Sequence, residues 1–244
     1  MDDEFMTKCF EENVEATELV LQIVLDKPDI KVEKVMTQYS MKNIKGHSVI
    51  LDIFATDSTG KKHNIEIQRA DKGAGAKRAR YHSSLIDSNV LPAGFEYEKL
   101  AETYVIFITE NDIIGKSKPI YHIERCIMET GEYFNDGAHI IYVNASYVDD
   151  TNLGKLMHDF LCTNPEDMNY RILATTVKYY KENKEGMRAM SRMIDELRKE
   201  DRKEFQLEIA DRMIKEGYTE KEVLKIAGIT EEEYMQLQDG LLMA

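Results

Sequence analysis

The stretch from Ser48 to Tyr81 reads SVILDIFAT, DSTG, KKHNIEIQRA and DKGAGAKRARY, and the rest of the chain can be placed around it. The first and third pieces alternate or run apolar with β-branched residues. Asp57 to Gly60 between them is a turn signature, so the pattern predicts a β-hairpin. Two carboxylates, Asp52 and Glu66, interrupt strands that should be apolar, and Gln68 follows two residues after Glu66. A symmetric turn sets Asp52 opposite or nearly opposite Glu66, and the two-residue repeat puts Glu66 and Gln68 on one face. Facing carboxylates repel unless a cation lies between them, so the local pattern asks for a metal. A basic helix, AGAKRARYHSSLIDSNVL, follows at once, with Arg78, Tyr81, His82 and Leu85 at turn-like spacing.

A chain of 244 residues is long enough for one sizeable core plus an appendage. With 43% hydrophobic and 32% charged residues, it has the composition of a soluble globular protein. No apolar run is long enough to span a bilayer, so no membrane partner is expected. The N-terminus, MDDEFMTKC, is acidic where an export signal would be basic. Cys9, Cys126 and Cys162 are odd in number and far apart, which fits a reduced, cytoplasmic protein without a disulfide frame. His122 and Cys126 have half the spacing of a zinc site, but no second half is visible.

A net charge of −13 argues against a surface covered in nucleic-acid contacts, yet the charge is unevenly spread. Residues 61–80 hold seven basic side chains against two acidic ones, whereas residues 195–244 hold eight against fourteen. The one local basic patch therefore surrounds the two carboxylates, as an anionic substrate brought to a metal would require.

In chain order, residues 5–25 read as one amphipathic helix ended by Pro28. KVEKVMTQY (31–39) is a strand candidate. TYVIFIT (103–109) and HIIYVNA (139–145) read as buried strands, with a loop at 110–119. LGKLMHDFLC (153–162) is helical, its acid and histidine expected at the surface. Residues 169–203 read as long helix. In the tail, Gly217 is followed by Thr219, and Gly228 by Thr230 and Glu233, a helix-cap-helix pattern suited to a small helix-turn-helix. Its acidity favours packing or self-association over reading DNA bases.

The order of helix, strand, acid-bearing hairpin, basic helix and buried strands resembles the PD-(D/E)XK nuclease core. The wording resembles one family within it, the transposases and recombination-promoting nucleases: LDIFATDSTGKKHNIEIQRAD, the KRARY helix, ETYVIFITENDIIG, and DGAHIIYVN followed by LGKLMHDF. The likeness covers roughly residues 1–200. It implies an α/β fold, a restriction-endonuclease-like core of mixed central sheet flanked by helices, with an α-helical C-terminal extension. The expected boundary sets residues 1–165 as the core and 166–244 as the extension.

The resemblance also implies chemistry. Asp52 and Glu66 correspond to metal ligands, and the backbone carbonyl of Ile67 completes the protein's share of the shell. Oxygen ligands alone suit Mg²⁺, Mn²⁺ or Ca²⁺. The superfamily's lysine is replaced by Gln68, which can orient a water or a phosphate oxygen but brings no charge. A further acid from the first helix commonly faces such a site, with Glu11, Glu12, Glu15, Glu18 and the Asp2-Asp3-Glu4 run all open. Lys77, Arg78 and Tyr81 are the expected DNA contacts, Arg78 and Tyr81 sharing a helix face. His82 is either a substrate contact or a structural residue. His47 and His63 are read as structural.

The expected activity is a metal-dependent DNA endonuclease, catalytic residues Asp52, Glu66 and Gln68, acting in recombination or mobile-element biology. A homodimer is the expected assembly, because cutting both strands of a duplex takes two such sites. The competing reading is a catalytically weak or silent nucleic-acid-binding protein that keeps the fold. From the residues alone, the Glu66–Gln68 alternation also fits a solvated strand face, and Lys77, Arg78 and Arg80 a solvated helix face.

Overall fold

A computed structural model of the chain describes residues 3–43, 47–68, 73–238 and 240. The chain divides into two compact units, residues 1–41 with 49–183, and residues 42–48 with 184–244.

The first unit is built on a six-stranded mixed sheet. Its strands are β1 (Val32–Met41), β2 (Val49–Asp57), β3 (Lys62–Gln68), β4 (Thr103–Thr109), β5 (Ile120–Ile123) and β6 (Ala138–Asn144), in the spatial order β1-β2-β3-β4-β6-β5. The pairs β3–β4 and β4–β6 are parallel, and the others antiparallel. Every residue of β4 is buried, as its unbroken apolar run requires of a parallel strand covered on both faces. β5 was not foreseen; its four residues sit in a polar stretch and gain strand structure from pairing with β6.

Helices cover both faces. On one, Ile53, Ile65, Ile106 and Val143 pack beneath α1 (Asp3–Phe10), α2 (Val14–Val24), α4 (Asn152–Leu161) and α5 (Arg171–Glu182). On the other, Phe54, Val105, Phe107 and Tyr142 pack beneath Ala79, Leu85 and Ile86 of α3 (Ala76–Val90). Each fully buried side chain of this kind contributes about 1.5–3 kcal/mol. The expected mixed sheet flanked by helices is therefore what the chain forms.

The single helix expected over residues 5–25 is two. Glu12 adopts φ 53°, which an α-helix cannot contain, and Asn13 starts α2 by accepting from Ala16 N–H at 3.1 Å. The acid of α4 is also not at the surface. Asp159 is fully buried, and its carboxylate accepts from the backbone N–H of Asn169 (2.8 Å) and Tyr170 (2.7 Å), tying α4 to the start of α5.

At the hairpin tip, Asp57 Oδ1 accepts from the N–H of Thr59 (2.8 Å) and Lys61 (3.1 Å), and Gly60 takes φ 87°. The other oxygen, Oδ2, accepts from Nε2–H of buried His63 at 2.9 Å. His63 stacks on Tyr104, and Tyr104 on His139, with ring centroids 5.0 and 4.5 Å apart. Burial holds the His63 pKa below its ordinary value, against the pull of Asp57. For Asp57, burial acts upward, but the hydrogen bonds from His63 and Thr59 prevail and hold its pKa low.

The second unit contains α6 (Lys184–Lys215), α7 (Glu220–Ala227) and α8 (Glu231–Gln238), with a small core that includes Ala210, Met213, Val223, Ala227, Tyr234 and Leu237. The expected caps are present. Thr219 N–H donates to Glu222 at 2.9 Å, Thr230 N–H to Glu233 at 2.8 Å, and Gly228 ends α7 in the left-handed conformation.

Asp159→Ala removes the buried acceptor of two partly buried backbone N–H groups, so urea unfolding should show a loss of about 1–3 kcal/mol. The unfolded His63 takes up its proton at higher pH than the folded one. Stability is therefore expected to be retained above about pH 6.5 and to fall as pH drops from there toward the depressed folded value. Thermal melts across that window should show the loss in wild type and a shallower slope in His63→Gln.

Candidate active site

Register brings the two acids of the hairpin together. β2 and β3 pair through Thr56–Lys62, Ala55–His63, Phe54–Asn64 and Ile53–Ile65, and the same register continued sets Asp52 across from Glu66. The ladder stops one pair short of them. Beyond Ile53 and Ile65 the carboxylates take over the backbone's hydrogen bonds. Asp52 N–H donates to Glu66 Oε1 at 3.3 Å, and Ile67 N–H donates to Asp52 Oδ2 at 3.0 Å. A second irregularity lies on the edge strand. Gln38, which faces Asp52 between the pairs Thr37–Ile53 and Tyr39–Leu51, has φ 48°. Leu51 joins the core cluster under α3, whereas Ile53 joins the opposite one, so strict alternation breaks at Asp52. Such a break re-aims a side chain, as bulges do beside functional sites.

The backbone around Ile67 has a defined direction. Gln68 C=O accepts from Glu110 N–H at 3.0 Å, on the β4 side. Successive residues of a strand send their backbone polar groups to opposite edges, so the Ile67 carbonyl points back toward β2 and Asp52.

Glu66 is 0% exposed. A carboxylate this deep has to be paired. Its Oε2 accepts from Arg78 Nη2 at 3.2 Å, and His82 Nδ1 lies 3.6 Å from Oε1. Arg78 also donates from Nε to His82 Nε2 at 3.2 Å. Because arginine only donates, Nε2 is the accepting nitrogen of that ring and Nδ1 carries the proton. Nδ1–H then needs an acceptor. Asn64 Nδ2 is the atom placed 3.3 Å away while Asn64 Oδ1 is buried without a partner, and exchanging the two amide positions gives Nδ1–H its acceptor and satisfies the oxygen. His82 is 2% exposed and packs its ring against Phe107 at 6.0 Å.

Gln68 and Arg78 meet over Gly73. A Cβ on Gly73 would lie 2.6 Å from Gln68 Oε1 and 2.8 Å from Arg78 Nη1, and its φ of 138° is one that L residues rarely adopt. Asp52, Glu66, Gln68 and Arg78 are thus brought to one place. Tyr81 is half-buried against the core under α3, and Lys77 is exposed on the first turn of that helix. That turn holds no acid, and Gly75 before it provides no side-chain cap. Arg69 and Lys72 of the basic patch lie outside the described residues. Glu18 is no candidate for the site, since it holds Lys31 Nζ at 2.7 Å and Val32 N–H at 3.0 Å at the opposite end of the hairpin. Glu11 pairs with Lys8.

Asn64, His82 and Gly73 are the members of the site that sequence reasoning did not assign. Two of them carried a signal. Asn64 shares a face with Glu66 and Gln68 by the two-residue period, and His82 lies one helical turn from Arg78.

The donor set, two carboxylates and a carbonyl, is all oxygen and suits a hard divalent cation. Among the described residues no group of three or more His, Cys, Asp or Glu side chains converges to hold a metal. The acid pair would therefore share the task with the Ile67 carbonyl.

Residues 9–155 match the model of the PD-(D/E)XK nuclease family transposases. The chain belongs to that family, and the mixed sheet with its flanking helices is a restriction-endonuclease-like core. Membership carries nuclease-type chemistry in a mobile-element setting, with DNA as the implied partner. No curated protein and no solved structure was found to match the chain. Among the described residues no helix is long and apolar enough to cross a membrane.

Gly73→Ala should destabilise the protein by about 1–3 kcal/mol through backbone strain. The side chains that yield to the new methyl are those of Gln68 and Arg78. Urea unfolding measures the first effect, and any activity measured per folded molecule should fall with the second.

Proposed function

We propose that the protein is a divalent-metal-dependent endodeoxyribonuclease that hydrolyses phosphodiester bonds at Asp52, Glu66 and Gln68. The observation that carries this reading is the parting of β2 and β3 at the acid pair. There the two carboxylates replace the backbone ladder and the Ile67 carbonyl turns into the same gap. Strand pairing alone gives no reason to set a half-buried Asp52 against a fully buried Glu66 at that point, whereas a cation site does.

Asp52, Glu66 and the Ile67 carbonyl would hold a Mg²⁺, Mn²⁺ or Ca²⁺ ion, which would supply an acidified water and charge neutralisation at the phosphate. The chain's own groups do the rest. Gln68, with both a donor and an acceptor, orients the water or a phosphate oxygen. Arg78 lies beside it and offers a forked guanidinium to a phosphate, while Lys77 adds charge and Tyr81 a phenol along the same helix. Hydrolysis of both strands of a duplex calls for two copies of the chain, hence a homodimer. Gln68 in place of a lysine removes one positive charge from the transition state, and a binding protein without cleavage is the reading this departure would favour.

Cleavage of supercoiled plasmid, with Mg²⁺, Mn²⁺, Ca²⁺ or EDTA, tests the proposal. Wild type should cut only with a divalent ion. Asp52→Asn should cut slower by on the order of a thousandfold, since a metal ion contributes several kcal/mol to the transition state. Equal cutting by the two proteins would place the activity elsewhere. DNA binding without cleavage by either would leave the binding protein as the better description.

A further inference from the structure

We propose that Arg78 is a resident counter-ion of Glu66 that a divalent cation displaces, so that metal binding releases the guanidinium to hold the DNA phosphate. The inference rests on the reading of Asp52 and Glu66 as a cation site and adds the order in which its charges exchange.

The donors around Glu66 differ in how readily they can leave. Both carboxylate oxygens already accept a hydrogen bond, Oε1 from Asp52 N–H and Oε2 from Arg78 Nη2. One oxygen of Asp52 holds Ile67 N–H. A cation bound between these acids competes with those donors for the carboxylate lone pairs, and a donor that itself carries positive charge competes with it most directly. Asp52 and Ile67 N–H belong to strand backbone. His82 is buried between the sheet and α3, with Asn64 on Nδ1 and Phe107 against its ring. Arg78 is different. Its side chain is 40% exposed and reaches in from the first turn of α3. Among the described donors it is the one that can swing away at the cost of few contacts.

Charge gives the same answer. Glu66 is fully buried, so one positive charge beside it is stabilising, whereas a divalent ion and a guanidinium on the same carboxylate repel each other. The metal and Arg78 are alternatives. Arg78 Nη1 already lies over Gly73 beside Gln68 Oε1, so a short swing keeps the released guanidinium beside the group that would orient the substrate. Two consequences are linked. A cation that displaces Arg78 raises the affinity for DNA, and DNA that engages Arg78 raises the affinity for the cation by the same factor.

The test is calorimetric titration of Ca²⁺ and Mg²⁺ into the full chain at mildly alkaline pH, for wild type, Arg78→Ala, Arg78→Lys, Asp52→Asn and Glu66→Gln. Thermal melts establish that each variant is folded. Arg78→Ala removes the competitor and should bind the ions about tenfold more tightly, within the usual range of coupling between sites. Arg78→Lys keeps a charge but cannot span Glu66 and His82 together, so it should show a smaller gain and guards against a misfolded alanine variant. In parallel, Ca²⁺ should tighten binding of a DNA duplex in wild type and lose most of that effect in Arg78→Ala. Ion affinity that needs both acids but is unchanged or weaker in the two Arg78 variants overturns the displacement alone. Ion affinity that ignores Asp52→Asn and Glu66→Gln overturns the metal-centre reading and the displacement with it.

Discussion

A carboxylate fully removed from water is the constraint on which the first unit depends. Glu66 sits on a central strand, under a helix, where an unpaired negative charge would be untenable. Its surroundings answer that need in layers: a backbone N–H from the neighbouring strand and an arginine from the first turn of α3 bond its oxygens, and a histidine one turn further on holds the arginine. The histidine is fixed in turn by the arginine on one nitrogen and by an asparagine of β3 near the other. The position of α3 over the sheet is thus coupled to the charge state of one side chain, and packing by Leu85 and Ile86 secures what the electrostatics select.

The hairpin carries a buried polar pair at its other end, and the two ends behave differently. Asp57 and His63 pair with each other and close the turn, with Tyr104 and His139 stacked outward from the histidine, whose Nδ1 is buried without a hydrogen-bond partner. The hydrogen bonds that Asp57 accepts there all come from within the hairpin. The Asp52–Glu66 end recruits partners from outside the hairpin and includes an exposed cation. One supersecondary unit thus has a closed end that fixes register and an open end that meets other groups.

Much of this was legible in the sequence because it is periodic. Alternation with two misplaced acids gave the hairpin, the pairing of Asp52 with Glu66 and the common face of Glu66 with Gln68. Unbroken apolar runs gave β4 and β6, and Thr219 and Thr230 marked two helix starts. The parts that escaped depend on single backbone angles or on distant partners. A positive φ at Glu12 splits the first helix, and one at Gln38 marks the kink beside Asp52, yet neither residue type announces it. Asp159 looked like a surface acid because its partners, the N–H groups of Asn169 and Tyr170, are backbone atoms of a later segment. β5 owes its strand structure to β6. The role of His82 depends on how α3 rests on the sheet, which local pattern does not encode.

The symmetry of the hairpin about its turn has a consequence for how this chain can vary over time. The acids stand at equal counts of residues from the turn, Asp52 from Asp57 and Glu66 from Lys61, and the pairing is uninterrupted between. Residues gained or lost at the tip, among Ser58, Thr59 and Gly60, leave both counts intact and so leave the acids facing each other. A single residue gained or lost between the turn and either acid reverses the parity of one strand alone. It would send that carboxylate into the apolar cluster on the far side of the sheet. Length drift is therefore tolerable at the tip and forbidden a few residues away, so the turn serves as the point where this fold can change its length without changing its chemistry.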